Sequence, residues 1–85
     1  MTELIIHGIY RHYKGDYYIV EGVAKHSETG QELVIYRSLY DDGQHCYARP
    51  KTMFLEEIAS SAIPNDQPKQ SHRFELQHIE SVAQH

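Results

Sequence analysis

The stretch "GIYRHYKGDYYIV", residues 8–20, decides the fold because it predicts two antiparallel strands joined by a tight turn. β-Branched and aromatic residues dominate its two halves, which is typical of strands. Lys14-Gly15-Asp16 separates the halves, and Gly15 can adopt the positive φ that a tight turn needs. The same stretch holds four tyrosines, Arg11, His12 and Lys14. It therefore also suggests an aromatic-basic surface that holds a ligand.

The remaining chain predicts three more strands and one short helical turn. The second strand extends to residue 26, and Gly22 within it indicates a bulge or bend. The alternation places Tyr17, Ile19 and Val23 on one face of that strand and Tyr18, Val20 and Ala24 on the other. Further segments, in chain order, are a turn at 27–31, a strand at 32–40, an Asp-Gly hairpin turn at 41–44, a strand at 45–49, a helical turn within 51–58, a loop at 60–71 and a strand at 72–76.

This order predicts an all-β fold, a small antiparallel SH3-like barrel or roll of about five strands with one short helical turn. Closure of such a sheet would remove most exposed strand edges. We expect one domain at residues 1–76 and a mobile C-terminal tail at 77–85.

Composition narrows the function. The chain has 85 residues and a net charge of −4 with neutral histidines, which disfavours a non-specific nucleic-acid binder. A single cysteine, Cys46, permits no internal disulfide, so we expect a reducing, cytoplasmic location. No stretch resembles a signal peptide or a membrane span, and we expect no membrane association. The oligomeric state does not follow from the sequence.

Four short motifs carry a resemblance to a known family. They are "HYKG" (12–15), "HSET" (26–29), "LY" (39–40) and "RP" (49–50). In order and spacing they resemble the bacterial domain-of-unknown-function family numbered 1653, from Gly8 to about Glu75. The resemblance implies an SH3-like roll and brings no established activity or cofactor. The chain differs from the family pattern at Tyr47-Ala48, where Trp-Val is expected, and at Asp41, where glycine is common.

Metal binding and catalysis have weak support. His12, His26 and Cys46 could approach one another only through the fold, because the chain contains no C-x-x-C or H-x-x-x-H pair. A Cys–His dyad would need a base within about 3 Å of the thiol and an oxyanion hole. We therefore expect no cofactor, assign no metal ligand and no catalytic residue, and favour a protein that is not an enzyme.

Two interpretations remain open for the "HSETG" loop and for Arg49. His26 and Glu28 either close a polar turn or present a donor and an acceptor to a ligand. The turn at 27–31 is expected to face the start of the helical turn at 50–53. Arg49 either offers a guanidinium fork to a carboxylate or phosphate, or pairs with Glu28 or Glu56 as a structural clamp.

We therefore predict a non-catalytic binding module for a peptide, a protein partner or a small anionic ligand. Its expected contact residues are Tyr10, His12, His26, Glu28, Tyr40, Tyr47 and Arg49. One alternative is RNA or single-stranded nucleic-acid binding through tyrosine stacking and the residues Arg11, His12, Lys14, Lys25 and Arg49. A second alternative is a small enzyme or metal site that uses His12, His26 and Cys46.

Overall fold

The computed structural model describes residues 4–40 and 45–77, which form one antiparallel sheet with a short helix. Its strands are β1 (Ile9–His12), β2 (Tyr17–Lys25), β3 (Glu32–Ser38), β4 (Tyr47–Pro50) and β5 (Phe74–Leu76). Helix α1 (Lys51–Phe54) follows β4 directly, and a 3-10 helix spans Ser60–Ala62. The prediction of an all-β fold with about five strands and one short helical turn is confirmed.

The sheet is open. Its strand order is β4-β3-β2-β1-β5, so β4 and β5 lie at the two edges. Within the described residues β4 and β5 form no ladder with each other, and the closed barrel does not form. Both edge strands are short, and β4 ends at Pro50, which has no N–H to donate to a further strand. The fold is thus an open roll rather than a closed barrel.

A bulge at Glu21-Gly22 changes which side chains of β2 face inward. Val20 pairs with Tyr36, Gly22 with Ile35, and Val23 with Val34. Tyr36 and Val34 share one face of β3, so Val20 and Val23 also share a face. The predicted bulge is therefore present, but the assignment of Val23 to the face of Tyr17 and Ile19 is wrong, because the extra residue reverses the alternation.

The core lies against the inner face of this sheet. Its buried residues are Tyr10, Val20, Val34, Tyr36, Phe54 and Phe74. Helix α1 contributes Phe54, whose ring stacks on that of Phe74 with centroids 4.1 Å apart and planes 6° apart. Because the chain has no tryptophan, tyrosine and phenylalanine rings fill this space instead.

The segment at 60–71, predicted as a loop or linker, packs against the domain. It contains the 3-10 helix, and Ile63 directly after that helix is 3 % exposed. Arg11 donates hydrogen bonds from Nη1 to Gln67 Oε1 (3.1 Å) and from Nη2 to the Pro68 carbonyl (2.9 Å). The segment has little regular structure, yet a buried side chain and side-chain hydrogen bonds hold it in place.

Two predictions fall on residues outside the described ranges. These are the Asp-Gly hairpin turn at 41–44 and all of the predicted tail at 77–85 except Gln77. The Gln77 N–H donates a hydrogen bond to the Ile9 carbonyl at 2.8 Å, which ties this residue to β1. No helix in residues 4–40 and 45–77 is long and apolar enough to span a membrane.

Candidate functional site

The ring of Phe74 is the centre of the candidate site. Cross-strand pairing places His12 opposite Phe74, Tyr36 opposite Tyr47 and Val34 opposite Arg49. Because the sheet curls, side chains from the edge strand β4 meet side chains from the other edge strand, β5. We call this surface the aromatic face; it comprises His12, Tyr18, Tyr36, Tyr47, Arg49 and Phe74.

The side chain of Arg49 extends from β4 to the Phe74 ring on β5. Its guanidinium carbon lies 5.7 Å from the Phe74 centroid, within the range of a cation–π contact. Its Nε donates a hydrogen bond to the Tyr36 hydroxyl at 3.2 Å. Among the described residues Arg49 has no carboxylate partner, and the proposed clamp to Glu28 or Glu56 is not formed. Glu56 instead pairs with Arg73, at 2.6 Å.

His12 packs against the same ring and is neutral at pH 7. Its ring centroid lies 4.9 Å from that of Phe74. Nδ1 accepts a hydrogen bond from the Lys14 N–H at 3.1 Å, so the neutral ring carries its proton on Nε2. Burial, together with the charges of Arg49, Arg73 and Lys14, lowers the pKa of His12 from 6.5 to about 4, against a smaller opposing effect of Asp16. The imidazole is therefore a hydrogen-bond donor in positive surroundings.

The tyrosines of the aromatic face pack mainly edge to face. The ring of Tyr18 is 5.3 Å from that of Tyr36 and 6.4 Å from that of Tyr47, at interplanar angles of 79° and 81°. Burial, followed by the negative charge of Asp16, raises the pKa of Tyr18. Tyr47 is 46 % exposed and offers the accessible edge of this cluster to solvent.

The other predicted contact residues lie elsewhere. Tyr10 is 2 % exposed, and its hydroxyl accepts a hydrogen bond from the Ile5 N–H at 3.0 Å. Tyr40 follows the end of β3 and is 72 % exposed, and within the described part of the chain its ring packs on no other aromatic ring. His26 Nδ1 accepts hydrogen bonds from the N–H groups of Glu28 (3.1 Å) and Thr29 (3.3 Å), which closes the turn. The structure thus brings together His12, Tyr47 and Arg49 only.

A cavity lies between the hairpin that joins β2 to β3 and the start of α1, where those segments were predicted to face each other. It has a volume of about 330 Å³ and is lined by Gln31, Glu32, Lys51, Thr52 and Leu55. Lys51 Nζ lies 3.6 Å from Glu32 Oε1 across it. His26 and Glu28 belong to the same hairpin but are not among the lining residues.

The sequence left open a metal site or a catalytic dyad formed by His12, His26 and Cys46. Cys46 is exposed next to β4. Within residues 4–40 and 45–77, no three His, Cys, Asp or Glu side chains lie close enough to hold a metal ion.

Sequence reasoning missed Tyr18 and Phe74 as members of the site. Both were assigned only to strands that build the core. Their role depends on register: β5 pairs with β1, and this brings Phe74 opposite His12. Alternation along β5 indicates a buried Phe74, but no local pattern predicts that β5 pairs with β1.

The family of the chain follows from comparison with known proteins. Residues 8–76 match the family described as Protein of unknown function (DUF1653). The chain belongs to this family. A crystal structure of a DUF1653 protein from Bordetella bronchiseptica superimposes with a TM-score of 0.64 and 29 % identity, covering 91 % of this chain and 94 % of that one. No curated protein matches the chain. The DUF1653 match covers β1 to β5 and therefore the whole aromatic face.

Proposed function

We propose that this DUF1653 domain is a non-catalytic binding module that holds an acidic group of a peptide, a protein partner or a small ligand on its aromatic face. The observation that carries the proposal is the position of Arg49. Its guanidinium rests on Phe74 and is bonded to the neutral Tyr36 hydroxyl, with no carboxylate partner among the described residues. A guanidinium that rests on an aromatic ring and is bonded to a neutral hydroxyl is well placed to bind an anion in a bidentate manner.

The surroundings support an anionic group in particular. The charges of Lys14, Arg49 and Arg73 all lower the pKa of His12. The electrostatic potential around His12 is therefore positive, even though the chain carries a net charge of −4. The Nε2–H of neutral His12 adds an uncharged donor beside Arg49. Tyr47 supplies an exposed ring against which an apolar part of the ligand can pack, as in grooves that bind proline-containing peptides.

Nucleic-acid binding has less support. Arg11, one of the basic residues invoked for it, lies on the opposite face of the sheet from the tyrosines of the aromatic face, so it cannot act together with them on one nucleic-acid strand. The faces of Tyr18 and Tyr36 are occupied by neighbouring rings. We further propose that the protein is bacterial and works in the cytoplasm, since the exposed thiol of Cys46 suits a reducing compartment.

The test is a titration of the ¹⁵N-labelled full chain, followed by NMR, with a blocked peptide of alternating Glu and Pro. We expect saturable shifts at Tyr47, Arg49 and Phe74 and a rise in the pKa of His12, because a bound carboxylate offsets the surrounding positive charge. The same peptide with Gln in place of Glu should bind at least several-fold more weakly.

Arg49→Gln should remove this preference for Glu over Gln. Arg37→Gln is the matched control, because Arg37 lies on β3 and is paired with Glu21 away from the aromatic face. Equal binding of both peptides, or an equal loss in the two variants, would contradict the proposal. Saturable binding of mixed oligonucleotides that weakens steeply with salt would favour the nucleic-acid alternative instead.

A further inference from the structure

A second, polar groove lies on the outer face of the sheet. Register places Tyr17, Arg11 and Glu75 side by side on β2, β1 and β5. Arg11 alternates with Tyr10 and His12 along β1, so this row faces away from the aromatic face. Residues 67–70 border the row, and the groove between them has a volume of about 260 Å³. This groove is separate from the surface on which the proposed function rests.

Arg11 brings a buried positive charge to this groove. The residue is 6 % exposed, and its guanidinium is bonded to the side-chain oxygen of Gln67 and the carbonyl of Pro68. Both acceptors are neutral, and within residues 4–40 and 45–77 Arg11 forms no ion pair. A buried charge without a counter-charge is costly, so an anion in the groove would relieve this cost.

Glu75 is the expected counter-charge, yet its carboxylate is engaged elsewhere. It lies directly opposite Arg11 in the ladder. Its Oε2, however, accepts hydrogen bonds from the Ser71 N–H (2.9 Å) and the Ser71 hydroxyl (2.7 Å). These bonds lower the pKa of Glu75 and hold the group as an anion that faces Ser71. The residue that register would pair with Arg11 therefore forms no ion pair with it.

Gln70 is a second polar side chain of the groove whose hydrogen bonds are incomplete among the described residues. Its Nε2 donates to the carbonyls of Arg11 (3.1 Å), His72 (2.7 Å) and Arg73 (3.2 Å). Three carbonyls around one nitrogen fix the orientation of the amide, because the alternative orientation would place oxygen against oxygen. The Oε1 of the same amide is buried and accepts no hydrogen bond from any residue in the described ranges. A buried acceptor of this kind requires a hydrogen-bond donor from water or from a ligand.

We propose that this groove binds a small organic oxyanion, a carboxylate or phosphate, with a hydroxyl or amino group next to it. Among the residues that the structure describes, Arg11 and Lys69 are the two cations that line the groove and Glu75 is its one carboxylate, so these side chains give a net charge of +1. The two cations take the anionic oxygens, and the hydroxyl or amino group supplies the donor that Gln70 Oε1 lacks. The volume lies below that of sites for drug-sized ligands, which limits the ligand to a small metabolite.

The test is a titration of the labelled full chain with glycolate, acetate, glycine and inorganic phosphate, monitored at the side-chain signals of Arg11 and Gln70. Glycolate and acetate differ only by a hydroxyl, so we expect glycolate to bind several-fold more tightly. Glycine tests an amino donor, and the phosphate arm distinguishes the two kinds of oxyanion. Arg49 gives separate signals, so failure of the aromatic-face proposal and failure of this one are distinguishable.

Lys69→Gln should weaken the binding of glycolate several-fold. Arg11→Lys should weaken it about tenfold or more, because lysine keeps the charge but lacks the planar guanidinium fork. Lys69 is exposed, so its substitution should leave the fold intact even if the Arg11 variant is unstable. Lys25→Gln, an exposed cation at the far end of β2, is the control and should change nothing. Absence of saturable shifts with all four probes, equal affinity for glycolate and acetate, or equal effects of the Lys69 and Lys25 variants would overturn the proposal.

Discussion

The guanidinium carbon of Arg49 lies 5.7 Å from the centroid of the Phe74 ring, so a cation from one edge strand rests on a core ring from the other. If this contact serves a ligand rather than the fold, its removal should cost little stability. We expect Arg49→Met to lower the free energy of unfolding by about 1 kcal/mol or less, because methionine keeps the apolar stem and loses only the cation–π contact and one hydrogen bond. Urea unfolding measures this, and a loss well above 2 kcal/mol would identify Arg49 as a structural clamp.

Phe74 should be among the most sensitive positions for stability. It is 3 % exposed and contacts the rings of His12, Tyr18, Tyr36 and Phe54. Phe74→Ala should cost about 3–5 kcal/mol through lost burial and the cavity left behind, which is a large part of the stability of so small a domain. Phe74→Leu should cost distinctly less, since it fills more of the space. Urea midpoints of the two variants that coincide would contradict the central role of this ring.

The turns of this fold could be predicted from the sequence, whereas the pairing of its strands could not. Turns at Gly15 and Gly30, where φ is 116° and 75°, were recognisable from local chemistry, and with them the order of the strands. Which strands pair is a long-range property: the pairing of β1 with β5 joins residues more than 60 positions apart. Of the residues grouped from their chemistry, His12 and Arg49 both lie against Phe74, whereas Tyr10 is buried and Tyr40 is exposed.

The histidine at position 12 should make stability depend on pH. Its pKa is about 4 when folded and about 6.5 when unfolded, so between these values the unfolded chain binds the extra proton. His12 therefore contributes full stability above pH 6.5, and this contribution is lost as the pH falls from 6.5 towards 4. After allowance for solvent screening we expect a loss of roughly 1–2 kcal/mol. Urea midpoints across this range should fall less steeply for His12→Gln, whereas His45→Gln, at an exposed position, should follow the parent protein.

The turn at Gly15 is coupled to the loop at 67–70 through Gln67. A Cβ on residue 15 would lie 2.8 Å from Gln67 Oε1, the atom to which Arg11 donates, and φ at Gly15 is 116°. Gly15→Ala should therefore cost about 2 kcal/mol or more, from backbone strain and from displacement of that oxygen. Gly30 also has a positive φ, 75°, but a Cβ added there would meet no atom within 4 Å. Gly30→Ala should therefore cost only the backbone strain, about 1 kcal/mol.

Gln67→Ala provides the test of this coupling. If Gln67 causes the additional loss, Gly15→Ala should cost less in the Gln67→Ala background than in the parent, since the clash has been removed. Additive effects of the two substitutions in urea unfolding would show that Gly15 acts through its backbone alone.

The bulge at Gly22 sets the direction of every later side chain in β2. An added Cβ at Gly22 meets no heavy atom within 4 Å, so Gly22→Ala should change the free energy of unfolding by less than about 1 kcal/mol. Deletion of residue 22 is a different change. It would remove the extra residue, so that Val23 would follow Val20 by two positions and stay on the face that it shares with Val34. Because the pairs from Val23 to Lys25 would keep their register and orientation, the deletion should leave cooperative unfolding intact and cost no more than about 2 kcal/mol. Loss of cooperative unfolding in urea would contradict this and would show that the bulge is needed for the pairing of β2 with β3.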